Sequence, residues 1–186
     1  MKILDFGCGT RKFSPRAIGV DYDELSKPDI LCDFDTSHYP FKDNCVDMIT
    51  SFEVIEHLKH PSLFIKEISR ILKRGGLLII ATNNRNSLIN RIFKTYEVHS
   101  HISLQTSESL ENLISKHLVI VQRLSLSYNK QDRTDLLFKI CSPFREFVNN
   151  ILPESLRERT IIVAQKSWLF KEFLKGSSDY QGSEGK

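Results

Sequence analysis

The sequence has little of what marks the specialised classes of protein. Its 186 residues include four cysteines, Cys8, Cys32, Cys45 and Cys141, and no two of them have CxxC spacing. No His pair completes a zinc pattern, so no metal ligands are expected. So few thiols in a chain of this size do not make a disulfide framework, and they read as reduced thiols of a cytoplasmic protein. No stretch approaches the roughly 18–20 consecutive apolar residues that a membrane-spanning helix needs. No basic-then-apolar leader opens the chain, because Lys2 is followed at once by Asp5 and Gly7. No internal repeat is visible. Neither sign of charge is in large excess: 26 Lys plus Arg stand against 23 Asp plus Glu, giving +3. That balance does not indicate a nucleic-acid binder.

What is present is an ordinary globular composition, 40% apolar and 26% charged. The length suits one domain with a core that needs no disulfide or metal staple. Charge is unevenly spread. Residues 21–56 carry ten acids and two lysines, and residues 57–95 carry eight bases and one acid. Such blocks point to partners or to solvated faces.

Five short apolar runs open the chain: Lys2–Phe6, Ala17–Asp21, Asp29–Asp33, Cys45–Ser51 and Leu77–Thr82. The fifth is continuously apolar, as a strand covered on both faces should be. Leu63, Phe64, Glu67, Ile68, Ile71 and Leu72 recur with helical spacing, predicting a helix from Pro61 to about Lys73 that Gly75-Gly76 stops. A second helix fits Ser107–Lys116, with Thr106 as N-cap. Strands six and seven fit Leu118–Leu126 and Thr160–Ala164, with a helical stretch over residues 135–151 between them. Strands alternating with helices predict an α/β fold with a parallel, doubly wound sheet. The expected domain is residues 1–175, followed by a Gly/Ser-rich, disordered tail over residues 176–186. The linkers around strand two are too short for ordinary helical crossovers.

Gly7-Cys8-Gly9 ends strand one. The two glycines let a backbone approach a ligand closely, and the amides beyond them can donate to a carboxylate. Asp21 ends strand two, where an acid can accept both hydroxyls of a ribose. Asp33 ends strand three and can take an adenine amino group, with Tyr22 and Phe34 able to lie against the base. One such acid reads as a solvated strand end; acids at three successive strand ends, Asp5 included, do not.

ILDFGCG, GVD, CDFDTSHYPFKDNCVDMITSFEVIEHL and ILKRGGLLIIAT together resemble the class I S-adenosylmethionine-dependent methyltransferases, most closely their small "methyltransferase type 11" group. The resemblance spans residues 1–82. It implies a Rossmann-like seven-stranded sheet, mostly parallel, with its last strand antiparallel and with reduced helices around strand two. It implies S-adenosylmethionine as cofactor. The methionine moiety would be held by Asp5 and by Gly7, Cys8 and Gly9, the ribose by Asp21, and adenine by Asp33 and Phe34 beside Tyr22. Ser51, Phe52 and Glu53 would border the methionine end and the acceptor. The chain departs from the pattern where Arg11-Lys12 replace the usual small residues, and it has no NPPY-like motif after strand four.

Methyl transfer from a sulfonium is an in-line displacement, so the protein mainly aligns and desolvates. A base is needed only where the acceptor loses a proton, and His57 and His101 are the candidates. Residues 83–96 (NNRNSLINRIFKTY) set Leu88, Ile92 and Phe93 beside Arg85, Arg91 and Lys94. That is a basic surface helix, or a lid for an anionic or lipid-linked small-molecule acceptor. Residues 135–152 are amphipathic and suit either a core cover or peripheral membrane contact. A cofactor-binding domain without activity, serving as a partner or regulator, is the alternative. A nicotinamide oxidoreductase fits worse, because Arg11, Phe13 and Pro15 interrupt the GxGxxG turn and its helix.

Overall fold

A computed structural model gives the structure of the protein and describes residues 1–87, 102–126 and 159–167. In chain order it contains β1 (Ile3–Phe6), β2 (Ile18–Asp21), β3 (Ile30–Leu31), β4 (Val46–Phe52), α1 (Pro61–Ile71), β5 (Leu72–Asn83), α2 (Ser107–Ser115), β6 (Val119–Leu126) and β7 (Arg159–Gln165). The strands form one sheet in the order β3-β2-β1-β4-β5-β7-β6. β1 runs parallel to β2 and β4, β4 runs parallel to β5, and β7 is antiparallel to both β5 and β6. The expected Rossmann-like, mostly parallel α/β sheet with an antiparallel last strand is therefore present.

The core follows from the apolar runs. Ile49 of β4 and Leu78 and Ile80 of β5 are fully buried. Helix α1 turns Phe64, Ile65, Ile68 and Ile71 onto the sheet. It begins with Pro61 in its first turn, where the missing N–H costs nothing. Arg70 straps a loop to this helix: it donates to Phe41 O at 2.7 Å, to Asp43 at 2.7 Å and to Glu67 at 2.7 Å. Helix α2 opens with a reciprocal cap, in which Ser109 N donates to Thr106 Oγ1 at 3.0 Å and Thr106 N donates to Ser109 Oγ at 2.8 Å.

The structure corrects three boundaries. Helix α1 ends at Ile71, and Leu72 is already extended at ψ 136°. Gly75-Gly76 therefore does not stop the helix but lies inside β5, which starts five residues earlier than Leu77. There the pairing with β4 jumps from Val46–Leu72 to Met48–Leu77, a bulge that Gly75 permits with φ 77°. Strand β3 has two paired residues, Ile30 and Leu31, rather than five.

The short crossovers are real. β2 and β3 are joined by one 3-10 turn, Glu24–Ser26, and no helix joins β1 to β2. Outside the described residues lie His101, Cys141, the 83–96 helix beyond Ser87, the stretch 135–152, and the end of the domain with its tail. Among the described residues no helix is long and apolar enough to cross a membrane.

Candidate functional site

The strand order reverses between β1 and β4, and the loops leaving these two strands diverge there. A cleft of about 510 Å³ opens at this place. Its walls are Gly7 and Gly9 after β1, Asp21 and Tyr22 after β2, Asp33, Phe34 and Asp35 after β3, and Glu53, Val54, His57 and Leu58 after β4, with Ile102 closing one side. The volume falls in the range of small-molecule sites.

The glycine turn is held by acids. Asp5 accepts from Phe13 N at 2.6 Å and from Thr50 Oγ1 at 2.7 Å, and it is buried. Asp21, only 6% exposed, accepts from Gly9 N at 2.8 Å and from Asp23 N at 3.0 Å. Each Asp21 oxygen takes one backbone donor, which leaves acceptor capacity toward the cleft. Gly7 N donates to Val20 O at 2.8 Å, tying the turn to β2.

The end of β4 is built differently. Glu53 has φ 56°, a left-handed conformation that a side chain rarely adopts. Its N–H donates to Ala81 O at 2.9 Å. Asn83 donates through its single amide nitrogen to both Glu53 Oε2 and Glu56 Oε1. Glu56 is fully buried and accepts from Thr82 Oγ1 at 2.8 Å. Arg159 Nε on β7 lies 3.7 Å from Glu53 Oε1. Burial, and next the charge of Glu56, push the Glu53 carboxyl up to about 8, against the pull of Arg159. Glu56 also holds the wall opposite, since its carbonyl accepts from the N–H groups of Ile102 and Ser103, both at 2.9 Å.

Of the residues singled out in the sequence, Gly7, Gly9, Asp21, Tyr22, Asp33, Phe34, Glu53 and His57 come together on the cleft. Tyr22 is 72% exposed at the rim. The ring of Phe34 is committed to the core, stacked on Phe6 at a centroid distance of 5.1 Å and edge-on to Phe64 at 5.6 Å. Phe34 still lines the cleft, and the ring of Tyr22 is the exposed one of the two. The structure does not bring Asp5, Cys8, Ser51 or Phe52 to the cleft wall. Asp5 clamps the turn from behind, and the Phe52 ring packs on Phe13 at 5.1 Å. Ser51 is buried, with no hydrogen-bond partner for its hydroxyl among the described residues. Cys8 lines a smaller cavity of about 320 Å³ beside the turn, and burial together with Asp21, Asp5 and Asp29 pushes its thiol up, keeping it protonated. His101 lies outside the described residues.

Four residues that matter were not legible from strand-end patterns: Glu56, Asn83, Ile102 and Arg159. Glu56 stands inside the EVIEHL stretch, which was the available signal. Nothing local marks the other three, which reach the site through sheet order.

The sequence model of a methyltransferase-domain family matches residues 1–117. A probable S-adenosylmethionine-dependent methyltransferase of Mycolicibacterium smegmatis is 33% identical over 98 residues, covering 45% of this chain and 38% of that protein. A ubiquinone biosynthesis O-methyltransferase of Bradyrhizobium diazoefficiens is 27% identical over 104 residues, covering 46% of this chain and 41% of that protein. The chain thus matches about two-fifths of the length of each of these curated relatives. The fold is shared with an S-adenosylmethionine-dependent methyltransferase of Archaeoglobus fulgidus, with TM-score 0.62 and 18% identity over 89% of this chain and 86% of that one. It is shared too with phosphoethanolamine N-methyltransferase 2 of Haemonchus contortus, solved with S-adenosyl-L-methionine, with TM-score 0.60 and 18% identity over 90% of this chain and 50% of that one. With a family match across more than half of its residues and the sheet to go with it, the chain belongs to the methyltransferase-domain family of class I S-adenosylmethionine-dependent methyltransferases.

Proposed function

We propose that the protein transfers the methyl group of S-adenosylmethionine, by in-line displacement, to a small-molecule or lipid-linked acceptor. The observation that carries this reading is the cleft at the strand-order reversal, where Asp21 and Glu53 flank the turn at Gly7.

The residues present suit the cofactor. A Cβ placed on Gly9 would meet nothing within 4 Å, so this glycine leaves room beside the turn. Asp21 keeps acceptor capacity for ribose hydroxyls, and the exposed Asp33 does so for an exocyclic amine. When bound, the cofactor supplies a methyl group on a positively charged sulfur, already activated toward a nucleophile. The chain's own contribution is alignment and exclusion of water.

The acceptor end is the part of the cleft formed by Val54, Leu58 and Ile102 with His57. Three apolar side chains beside one imidazole suit an acceptor with an apolar body and an ionisable group to be methylated. His57 is the base where that group must lose a proton. The relative that serves ubiquinone biosynthesis supports an acceptor of this kind. Arg85, part of the basic stretch, is exposed, and its backbone N–H is tied to Gln105 O at 2.9 Å. An anionic acceptor and peripheral membrane contact belong to this proposal as expectations of the basic and amphipathic stretches. No observation favours a cofactor-binding domain without activity.

A thermal shift with S-adenosylhomocysteine against NAD tests the reading. A ligand at 100 times its dissociation constant should add about 2.7 kcal/mol of stability. A shift with NAD and none with S-adenosylhomocysteine would overturn it.

A further inference from the structure

Glu53 and Glu56 are three residues apart at the end of β4, and both are hydrogen-bonded by the one amide of Asn83. Glu53 faces the cleft and Glu56 is sealed behind it. Among the described residues, the charged and titratable groups beside them or on the cleft are Arg159 on β7, His57 on the same turn, and the acids Asp21, Asp33 and Asp35. Of these, Arg159 is the one fixed cation beside the pair. Burial and the charge of Glu56 both disfavour ionisation of Glu53, against the pull of Arg159. An acid kept neutral at the end of β4 is a neutral wall toward an uncharged ligand. Toward a cation it is a latent negative charge.

We propose that Glu53 holds a proton in the free protein and releases it when a positively charged sulfonium enters the cleft, so that the site distinguishes S-adenosylmethionine from its uncharged thioether product. This rests on the cofactor reading above. With ribose held by Asp21 and the methionine moiety by the turn of Gly7 and Gly9, the cofactor would lie along the cleft that Glu53 also lines. The raised Glu53 carboxyl agrees with the arrangement. Charge and protons balance. Glu53 passes from neutral to negative as one positive charge arrives, and one proton leaves to solvent. Once the methyl group has gone to the acceptor and the acceptor has lost a proton or left, the positive charge is gone from the cleft, and Glu53 takes a proton back. Where the acceptor loses a proton, that proton balances the one released on entry. Glu53 has a left-handed backbone, and the amide of Asn83 ties its carboxyl to that of Glu56.

The experiment is calorimetry with two probes, S-adenosylmethionine and S-adenosylhomocysteine, at pH 7 in buffers of different ionisation enthalpy. The expected result is release of about one proton with the first probe and close to none with the second. The dissociation constant for S-adenosylmethionine should fall on the order of tenfold for each unit that pH rises toward about 8, while that for S-adenosylhomocysteine stays within about twofold. Glu56→Gln, which removes the repelling charge, should cut the proton release to a small fraction and flatten the pH dependence. Equal proton counts for the two probes in wild type overturn the proposal and leave cofactor binding standing. Failure of both probes to bind overturns the cofactor reading beneath it. The wild-type comparison decides even where the variant does not fold.

Discussion

Gly7 and Val54 approach so closely that a Cβ on Gly7 would sit 2.1 Å from Val54 Cγ2. The turn after β1 and the segment after β4 are thereby pressed together, and the cleft floor is formed where they meet. Gly7 also has φ 75°, which a side chain would strain. Gly7→Ala should therefore cost on the order of 2–5 kcal/mol, backbone strain and overpacking together. Urea denaturation of the single variant and of Gly7→Ala with Val54→Ala checks this. The double variant should be relieved of the clash but not of the strain, so the two changes should couple by about 1 kcal/mol or more. Simple additivity would mean that the contact carries no energy.

Asp21 is predicted to serve both the turn and the cofactor. Asp21→Ala leaves the N–H groups of Gly9 and Asp23 without their acceptor, and it should weaken S-adenosylhomocysteine binding by about 1–3 kcal/mol. Asp21→Asn keeps one acceptor oxygen and should fall between. Unchanged affinity in a folded alanine variant would remove Asp21 from the ribose site.

Stability should respond to the Glu53 carboxyl. Its pKa is raised from the ordinary 4.5 to about 8 in the folded chain, so the native state binds more protons than the unfolded state between these values. The stability that this proton supports is fully present below about pH 4.5 and is lost as pH rises through about 8. Comparing the pH profile of Tm for the wild type and for Glu53→Gln isolates this contribution. The variant should lose less stability over that window, and parallel profiles would mean that Glu53 titrates normally.

Cofactor binding is expected to need no metal. Among the described residues no cluster of three or more His, Cys, Asp or Glu side chains is placed to hold an ion. The thermal shift caused by S-adenosylhomocysteine should be the same with and without EDTA. A shift lost in EDTA and regained with magnesium or zinc would contradict this.

His57 is expected to matter to chemistry more than to binding. With an acceptor in hand, His57→Gln should lower kcat by roughly 10²-fold or more where the acceptor must be deprotonated. The affinity for S-adenosylhomocysteine should stay within about twofold. A fall in cofactor affinity matching the fall in rate would make His57 a binding residue instead.

The sequence by itself determined the strands, the long helix and the acids at successive strand ends, because these depend on neighbours a few residues apart. An apolar run such as Leu77–Thr82 specifies a doubly covered strand wherever it lies. The period of Phe64, Ile68 and Ile71 specifies one buried helix face. Tertiary structure alone decided which of the polar residues reach the cleft. Asp5 and Asp21 both end strands, yet Asp5 lies in register with Thr50 and is spent on the turn, while Asp21 faces the cleft. Gly75-Gly76 reads locally as a helix stop, but pairing with β4 pulls the chain extended from Leu72 and turns the glycines into a bulge. Glu53 meets Asn83 and Arg159 only because β5 lies between β4 and β7. The charge state of a carboxyl depends on every group within a few ångströms. Such neighbours come from sheet order, which no local pattern contains.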